Sequence, residues 1–163
     1  MKPFALIAAL VALAAATTAS AQNAGQLSAV RNGANCPRCN LFQADLSNLE
    51  LKSKNLAGAR LRQADFSTAI MNRTSFAGGD LRDVNAYGAV LTGASFARAD
   101  LTNASFVGAY LQGANFSGAR LSGVNFSGAE MNRAVGLNQG QLNGACGDDS
   151  TLLPRGLSIP RCR

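Results

Sequence analysis

Large apolar residues recur at every fifth position of this chain over more than half of its length. From Leu41 to Met131 the central place of each five holds Leu, Phe or Met in eighteen of nineteen cases, and Ala86 is the exception. The residue two places earlier is mostly Ala, and the other places are mostly Asp, Asn, Ser, Arg or Gly. A period of five fits neither an α-helix nor a long strand, so it predicts a backbone that turns once in every repeat.

The alternation of Leu and Phe indicates how many repeats make one coil. Leu or Met occupies every second central place from Leu41 onward, and Phe occupies most of the others from Phe66 onward. The alternation has a period of ten residues. In a four-sided coil of 20 residues it stacks Leu on Leu and Phe on Phe, whereas in a three-sided coil of 15 residues it would place Leu over Phe. We therefore expect an all-β solenoid whose coils stack by parallel ladder hydrogen bonds, with the central residue and the small one before it inward. Nineteen units would give about 4.75 coils and, at roughly 4.8 Å per coil, a column about 23 Å long.

The repeating units carry a recognisable consensus. Examples are Ala44-Asp45-Leu46-Ser47-Asn48, Ala64-Asp65-Phe66-Ser67-Thr68, Ala99-Asp100-Leu101-Thr102-Asn103 and Ala114-Asn115-Phe116-Ser117-Gly118. Over residues 39–133 the chain resembles the pentapeptide-repeat family, with consensus A-[DN]-L-x-x, which implies a right-handed, four-sided parallel β-helix. Family members that protect DNA gyrase do so with a strongly acidic column, and this basic chain departs from them. The resemblance favours a fold more than an activity, because one repeat architecture hosts many functions.

Two residues break the pattern in the first coil. Leu49 and Lys54 stand where the small inward residue is expected. We expect this coil to be distorted or partly open, because neither side chain fits an inward place that Ala otherwise occupies.

The first 21 residues predict a secretory signal peptide. Lys2 precedes an apolar stretch from Phe4 to Ala16, and small residues lead to a cleavage site after Ala21. The apolar stretch is too short for a transmembrane anchor. The expected location is therefore secreted or periplasmic. The remaining chain would carry fourteen basic and nine acidic side chains, a net charge of +5.

Both ends of a solenoid need caps, because the terminal coils expose strand edges and apolar core. Residues 22–38 are the candidate N-terminal cap, and residues 134–163 are the candidate C-terminal cap. In the latter, Asn138 and Gln141 have the spacing of a capping box, which predicts a short helix. Leu137 and Leu142 would cover the open core, Gly147 would stop the helix, and an extended tail would follow. This ending resembles the tails of some exported bacterial pentapeptide-repeat proteins.

Four cysteines, Cys36, Cys39, Cys146 and Cys162, predict two disulfides in an oxidising compartment. Each pair lies at one end of the repeat, so local pairing of Cys36 with Cys39 and of Cys146 with Cys162 is expected. A redox-active pair at Cys36 and Cys39 is an alternative, but Cys39 falls at an inward place of the first repeat. A zinc site built from all four would need the two ends of the column to meet.

The sequence contains no recognisable catalytic machinery. It has no histidine, and no nucleotide-binding or calcium-binding motif occurs. The recurring aspartates are explained by the repeat, where Asp and Asn bond the local backbone at turns. We expect no catalytic residue, no metal and no cofactor. An enzyme of unfamiliar type is the least favoured alternative.

Two surfaces are candidate binding sites. A basic face would present Arg60, Arg62, Arg82 and Arg120, although 20-residue coils align Arg60, Asp80, Asp100 and Arg120 as a ladder of mixed sign. An apolar patch would consist of Ile70, Tyr87, Val90, Val107 and Tyr110, with Glu50 and Glu130 at its ends. Contiguous apolar patches rimmed by charge mark interfaces.

These surfaces favour a structural or protein-interaction scaffold of the bacterial envelope as the function. Its partner would be an unknown protein, an envelope component or a second copy in a homodimer. A binding module for anionic polymers or lipids is the alternative, and no nucleic acid partner is expected for an exported protein.

Overall fold

A computed structural model of the protein describes residues 22–163. Parallel β-bridges join residues that are 20 positions apart, from Asn40 with Arg60 to Asn115 with Val135. Each strand is a single bridge residue, and a turn separates it from the next bridge five residues on. The predicted coil of four repeats is therefore the stacking unit of the ladder.

The ladder forms four rows of outward residues, each of which defines one face. The first face carries Arg60, Asp80, Asp100 and Arg120; the second Asp65, Asn85, Ser105 and Asn125; the third Ile70, Val90 and Tyr110; and the fourth Asn55, Ser75, Ser95 and Asn115. Between faces the chain turns at two corner residues.

The corner turns explain the residue types of the repeat. In the turn that starts at Leu41, the Ala44 N–H donates to the Leu41 carbonyl at 3.0 Å, and Gln43 takes a φ of 55°. A positive φ at this place recurs through the repeat, and Gly fills many of these places because it lacks the steric penalty.

Asp or Asn before the central residue completes the backbone hydrogen bonding. The Asp65 carboxylate accepts the Ser67 N–H at 2.8 Å, and the Asn115 side chain accepts the Ser117 N–H at 2.9 Å. These N–H groups have no backbone acceptor, so the local side chain satisfies a donor that the ladder leaves unpaired. The predicted turn role of the recurring aspartates is confirmed.

The core is a column of the central residues and the small ones beside them. Among residues 22–163 six phenylalanines are fully buried, and Phe76, Phe96 and Phe116 stack with ring centroids 5.2–5.3 Å apart. On the second face Phe106 stacks on Phe126 at 5.6 Å. Burial of these rings supplies the apolar contact that single-residue bridges alone could not.

The N-terminal end of the column is covered by a helix that the sequence did not predict. Helix α1 spans Ala24–Arg31, with the Asn23 side chain accepting the Gln26 N–H as N-cap. Leu27 and Val30 are buried against the core. Residues 1–21, where the signal peptide is expected, lie outside the described residues.

The C-terminal end is covered as the sequence predicts. Helix α2 spans Gln139–Leu142, and Asn138 and Gln141 form a capping box. Leu142 is fully buried, and Leu137 lies against the core. The helix ends at Leu142, before the predicted stop at Gly147, because Cys146 joins the ladder beside Asn125.

The first coil keeps its ladder but is distorted at the two predicted places. Its bridges to the second coil continue from Asn40 to Asn55, so it is not open. However, the turns ending at Leu49 and Lys54 lack the direct backbone hydrogen bond that the other described repeat turns form. The Lys54 side chain reaches Gly33, just beyond α1, instead of entering the core.

One buried hydroxyl repairs the turn at Lys54. Thr74, one coil below, is the only fully buried polar residue among residues 22–163. Its Oγ1 donates to the Leu51 carbonyl at 2.6 Å and accepts the Lys54 N–H at 3.3 Å. The hydroxyl therefore stands between the two backbone groups that bond each other directly in an ordinary turn.

Candidate interaction surfaces

The third face carries an apolar stripe that consists of Ile70, Val90 and Tyr110. Parallel bridges join Ile70 to Val90 and Val90 to Tyr110, so the three side chains occupy one row on successive coils. Tyr110 is 45% exposed. The same row continues to Glu50 at one end and Glu130 at the other. The row thus has apolar residues in the middle and a carboxylate at each end.

Two further apolar residues lie at the corner between the second and third faces. Tyr87 and Val107 both follow a central residue of the second face, and the Gly88 N–H bonds the Val107 carbonyl at 2.9 Å. Tyr87 is 58% exposed, the largest value for a large apolar side chain in the described part of the chain. The structure therefore places all five residues of the predicted patch on neighbouring positions of one side of the column.

The side chains of the stripe cannot accept the backbone hydrogen bond that Asp or Asn accepts at the same place elsewhere in the repeat. Asp65, Asn115 and their equivalents accept the N–H two residues on, and Ile, Val and Tyr have no acceptor for it. At Thr92 the N–H turns instead to Asn72 Oδ1 of the neighbouring coil, at 3.1 Å. The turn chemistry of the repeat therefore does not account for these apolar residues.

The predicted basic face is of mixed sign. Arg82 makes two hydrogen bonds of 2.7 Å to Asp80, and Arg62 contacts Asp83 at 3.2 Å. The Arg82 guanidinium holds the pKa of Asp80 below its usual value. Arg120 lies 3.9 Å from the Asp100 carboxylate. Aspartates one coil or two residues away thus neutralise most of the positive charge that was expected here.

The fourth face is the basic one, and its cations were not among the candidate residues predicted from the sequence. Its segments 52–58, 72–78, 92–98 and 112–118 contain none of the nine acidic residues of the chain. The exposed cations at its two corners are Lys52 and Arg73 on one side and Arg38 and Arg98 on the other. Arranging the sequence in rows of 20 would have revealed this column without acids.

Each corner of the fourth face contains a shallow depression. One, of about 310 Å³, is lined by Lys52, Ser53, Asn72, Arg73 and Thr92, all of them polar. The other, of about 510 Å³, is lined by Pro37, Arg38, Ala57, Gly58 and Ala77. Within residues 22–163, Arg38, Arg73 and Arg98 form no ion pair.

The cysteines form the two expected local disulfides, Cys36 with Cys39 and Cys146 with Cys162. Cys39 is buried at an inward place, and the second disulfide fastens the tail to the last coil. In the part of the chain that the structure describes, no group of three or more His, Cys, Asp or Glu could hold a metal ion. No helix of that part is long and apolar enough to cross a membrane.

The repeat and its ladder define the class of protein. The profile of pentapeptide repeats matches in eight copies, at residues 55–85, 80–118, 99–135 and 109–145. These matches cover more than half of the chain, so the chain belongs to the pentapeptide-repeat family. Members of this family fold as right-handed quadrilateral β-helices, in agreement with the 20-residue ladder.

Solved structures include several similar proteins. HetL, a pentapeptide repeat protein involved in heterocyst differentiation regulation in a Nostoc cyanobacterium, is 33% identical with a TM-score of 0.53. The match covers 74% of this chain and 52% of HetL, so the chain spans about half of that protein. A pentapeptide repeat protein of the Arabidopsis thaliana thylakoid lumen is 35% identical over 63% of this chain and 68% of its own, with a TM-score of 0.35. No curated protein matches the chain.

Proposed function

We propose that this protein is a non-catalytic scaffold of the bacterial envelope that holds a partner protein against the apolar stripe and its corner. The exposed Tyr87 and Tyr110 beside Val90 carry this proposal. Tyrosine is enriched at interfaces because it buries a large area and keeps a polar tip. About 4.75 stacked coils would present these side chains at fixed spacing, so little ordering would be needed on binding.

Glu50 and Glu130 lie at the two ends of the apolar stripe and bound the proposed site. Glu50 is ion-paired with Lys52 at 2.6 Å, and Glu130 Oε2 accepts a hydrogen bond from Gln112 at 3.2 Å. Such a polar rim around an apolar centre is the arrangement of interfaces that form and dissociate. We therefore expect a partner with an apolar strip and donors that meet the two carboxylates.

Replacing Tyr87, Val90 and Tyr110 together by Ser tests this proposal. These side chains lie outside the core, so the fold should survive while retention of a partner from the envelope fraction, or self-association in sedimentation, is lost. Val135→Ser is the matched control, because Val135 is 53% exposed but lies away from the stripe. Unchanged association of the triple variant would contradict the proposal, and loss of self-association would identify a second copy as the partner.

Export is the second part of the proposal. Two disulfides and the predicted signal peptide support an oxidising compartment. N-terminal sequencing of the protein from a periplasmic or secreted fraction should begin at Gln22. An intact N-terminus in the cytoplasmic fraction would contradict it.

A further inference from the structure

We propose that the fourth face of the column binds a linear acidic polysaccharide along the solenoid axis. This site lies on the face next to the apolar stripe, shares a corner with it, and goes beyond the proposed scaffold function. It combines a row of amide and hydroxyl side chains, Asn55, Ser75, Ser95 and Asn115, with unneutralised cations at both edges.

The hydrogen-bonding groups of this face are mainly donors. The side-chain oxygen of Asn55 accepts the Ala57 N–H at 3.0 Å, and that of Asn115 accepts the Ser117 N–H at 2.9 Å. Asn72 uses its oxygen on the Thr92 N–H. The NH₂ groups of these three asparagines have no partner among residues 22–163. Because each of these amide oxygens already accepts a backbone N–H while its NH₂ donors remain, the face is complementary to a ligand rich in oxygen acceptors.

The charges around the face select an anion. Lys52 and Arg73 line the depression at one corner, and Arg38 lines the one at the other corner, where Arg98 occupies the equivalent place of a later coil. None of the four segments of the face contains a carboxylate. Only Lys52 has an ion pair, with Glu50 on the neighbouring face. A guanidinium binds a carboxylate or sulfate through two parallel N–H donors. The cations lie on different coils, so an extended polymer can reach several of them at once.

The spacing of the coils also matches the repeat length of a polysaccharide. Successive coils present equivalent side chains roughly every 4.8 Å, a spacing comparable to one sugar unit of an extended glycan. Hydroxyls of such a polymer can bond Ser75 and Ser95 while its acid groups reach the arginines at the edges.

The side chains disfavour the other anionic polymers. No large apolar residue is exposed within the four segments of the face, and Val135, which continues the row beyond Asn115, is a single exposed apolar side chain at its end. One valine gives a lipid surface little to anchor to. No aromatic ring is exposed there on which single-stranded bases could stack. A polyhydroxylated acid polymer uses both the neutral row and the cationic edges.

Binding of the full-length mature chain to immobilised polygalacturonate tests the proposal. The variant Arg73→Gln with Arg98→Gln should bind about tenfold more weakly or worse, because each arginine loses a charge-assisted contact. Glutamine keeps the turn, since Gln43 and Gln63 occupy the same place of the repeat with φ of 55° and 60°. Arg62→Gln with Arg120→Gln is the matched control, with the same change in net charge on the first face.

The outcomes separate this site from general charge attraction and from the scaffold. Equal weakening by the two double variants, equal binding to neutral dextran, or no binding to polygalacturonate would each overturn the proposal. Tighter binding of phosphatidylglycerol vesicles or duplex DNA through Arg73 and Arg98 would replace the polysaccharide by that ligand. The variant with Ser at Tyr87, Val90 and Tyr110 should bind polygalacturonate normally. Failure of the polysaccharide site on the fourth face can therefore be distinguished from failure of the protein-binding site on the stripe.

Discussion

The hydroxyl of Thr74 can be tested as the repair of a broken turn. Thr74→Val keeps the shape of the side chain but removes the oxygen that joins the Leu51 carbonyl to the Lys54 N–H. The side chain of Thr74 is fully buried, so water cannot replace the hydroxyl without opening the coil.

The expected loss follows from these two contacts. An unsatisfied buried group costs about 1–3 kcal/mol, and the short bond to Leu51 is the larger contribution. In a chain of this size, that loss would lower the melting temperature by roughly 3–10 °C. Urea unfolding followed by circular dichroism measures the change in the free energy of unfolding directly.

A second substitution identifies the cause. Lys54→Ala restores the small inward residue, so residue 54 can donate directly to the Leu51 carbonyl, as Ala59 does to Leu56 at 3.1 Å. In this background Thr74→Val should cost at least about 0.5 kcal/mol less than in the natural chain. Additive effects, or an unchanged midpoint for Thr74→Val alone, would refute the account of the hydroxyl as a bridge.

Three other changes have definite expected results. Leu101→Asp places an unpaired charge in the core and should abolish the cooperative melt, at a cost above about 4 kcal/mol, whereas a normal melt would contradict the inward place of Leu101. Hydrogen bonds from Ser150 lower the pKa of Asp148 to about 2. Because its unfolded pKa is about 3.9, its stabilisation is complete above that pH and is lost as the pH falls toward about 2. Acid titration of the melt should therefore show a smaller loss for Asp148→Asn, and equal losses would exclude this role. Replacing Cys146 and Cys162 by Ser removes a bridge between residues 16 apart and should cost about 3 kcal/mol, with peptide mapping under non-reducing conditions to verify the natural pairing.

The repeat could be read from the sequence because its causes are local. Each unit needs a large residue for the core, a small one beside it, an Asp or Asn to accept a nearby N–H, and a residue that tolerates positive φ. The capping box at Asn138 and Gln141 is equally local. These features lie within five residues of one another, so the order of the amino acids was enough to predict them.

The N-terminal cap could not be read in this way. Helix α1 has eight residues, of which only Leu27 and Val30 are buried. A helix this short is marginal by itself and is stabilised by the open end of the solenoid that it covers. Its pattern alone was therefore too weak to separate helix from strand.

The distribution of charge on the surface was the feature that depended most on the tertiary structure. The sequence placed the apolar stripe correctly, because its residues stand 20 apart in a known register. It did not identify the face with unpaired cations, because net charge depends on neighbours along and across the coils. Asp80 and Asp83 pair with Arg82 and Arg62, whereas Arg73 and Arg98 have no ion pair among residues 22–163.

The sequence by itself determined the coil, its core and its register, because these follow from turn chemistry and side-chain size within one repeat. The tertiary structure decided which charges remain unpaired on the fourth face and how Thr74 completes a turn one coil away. Both depend on side chains that are distant along the chain and are brought within hydrogen-bonding or ion-pairing distance only when the coils stack.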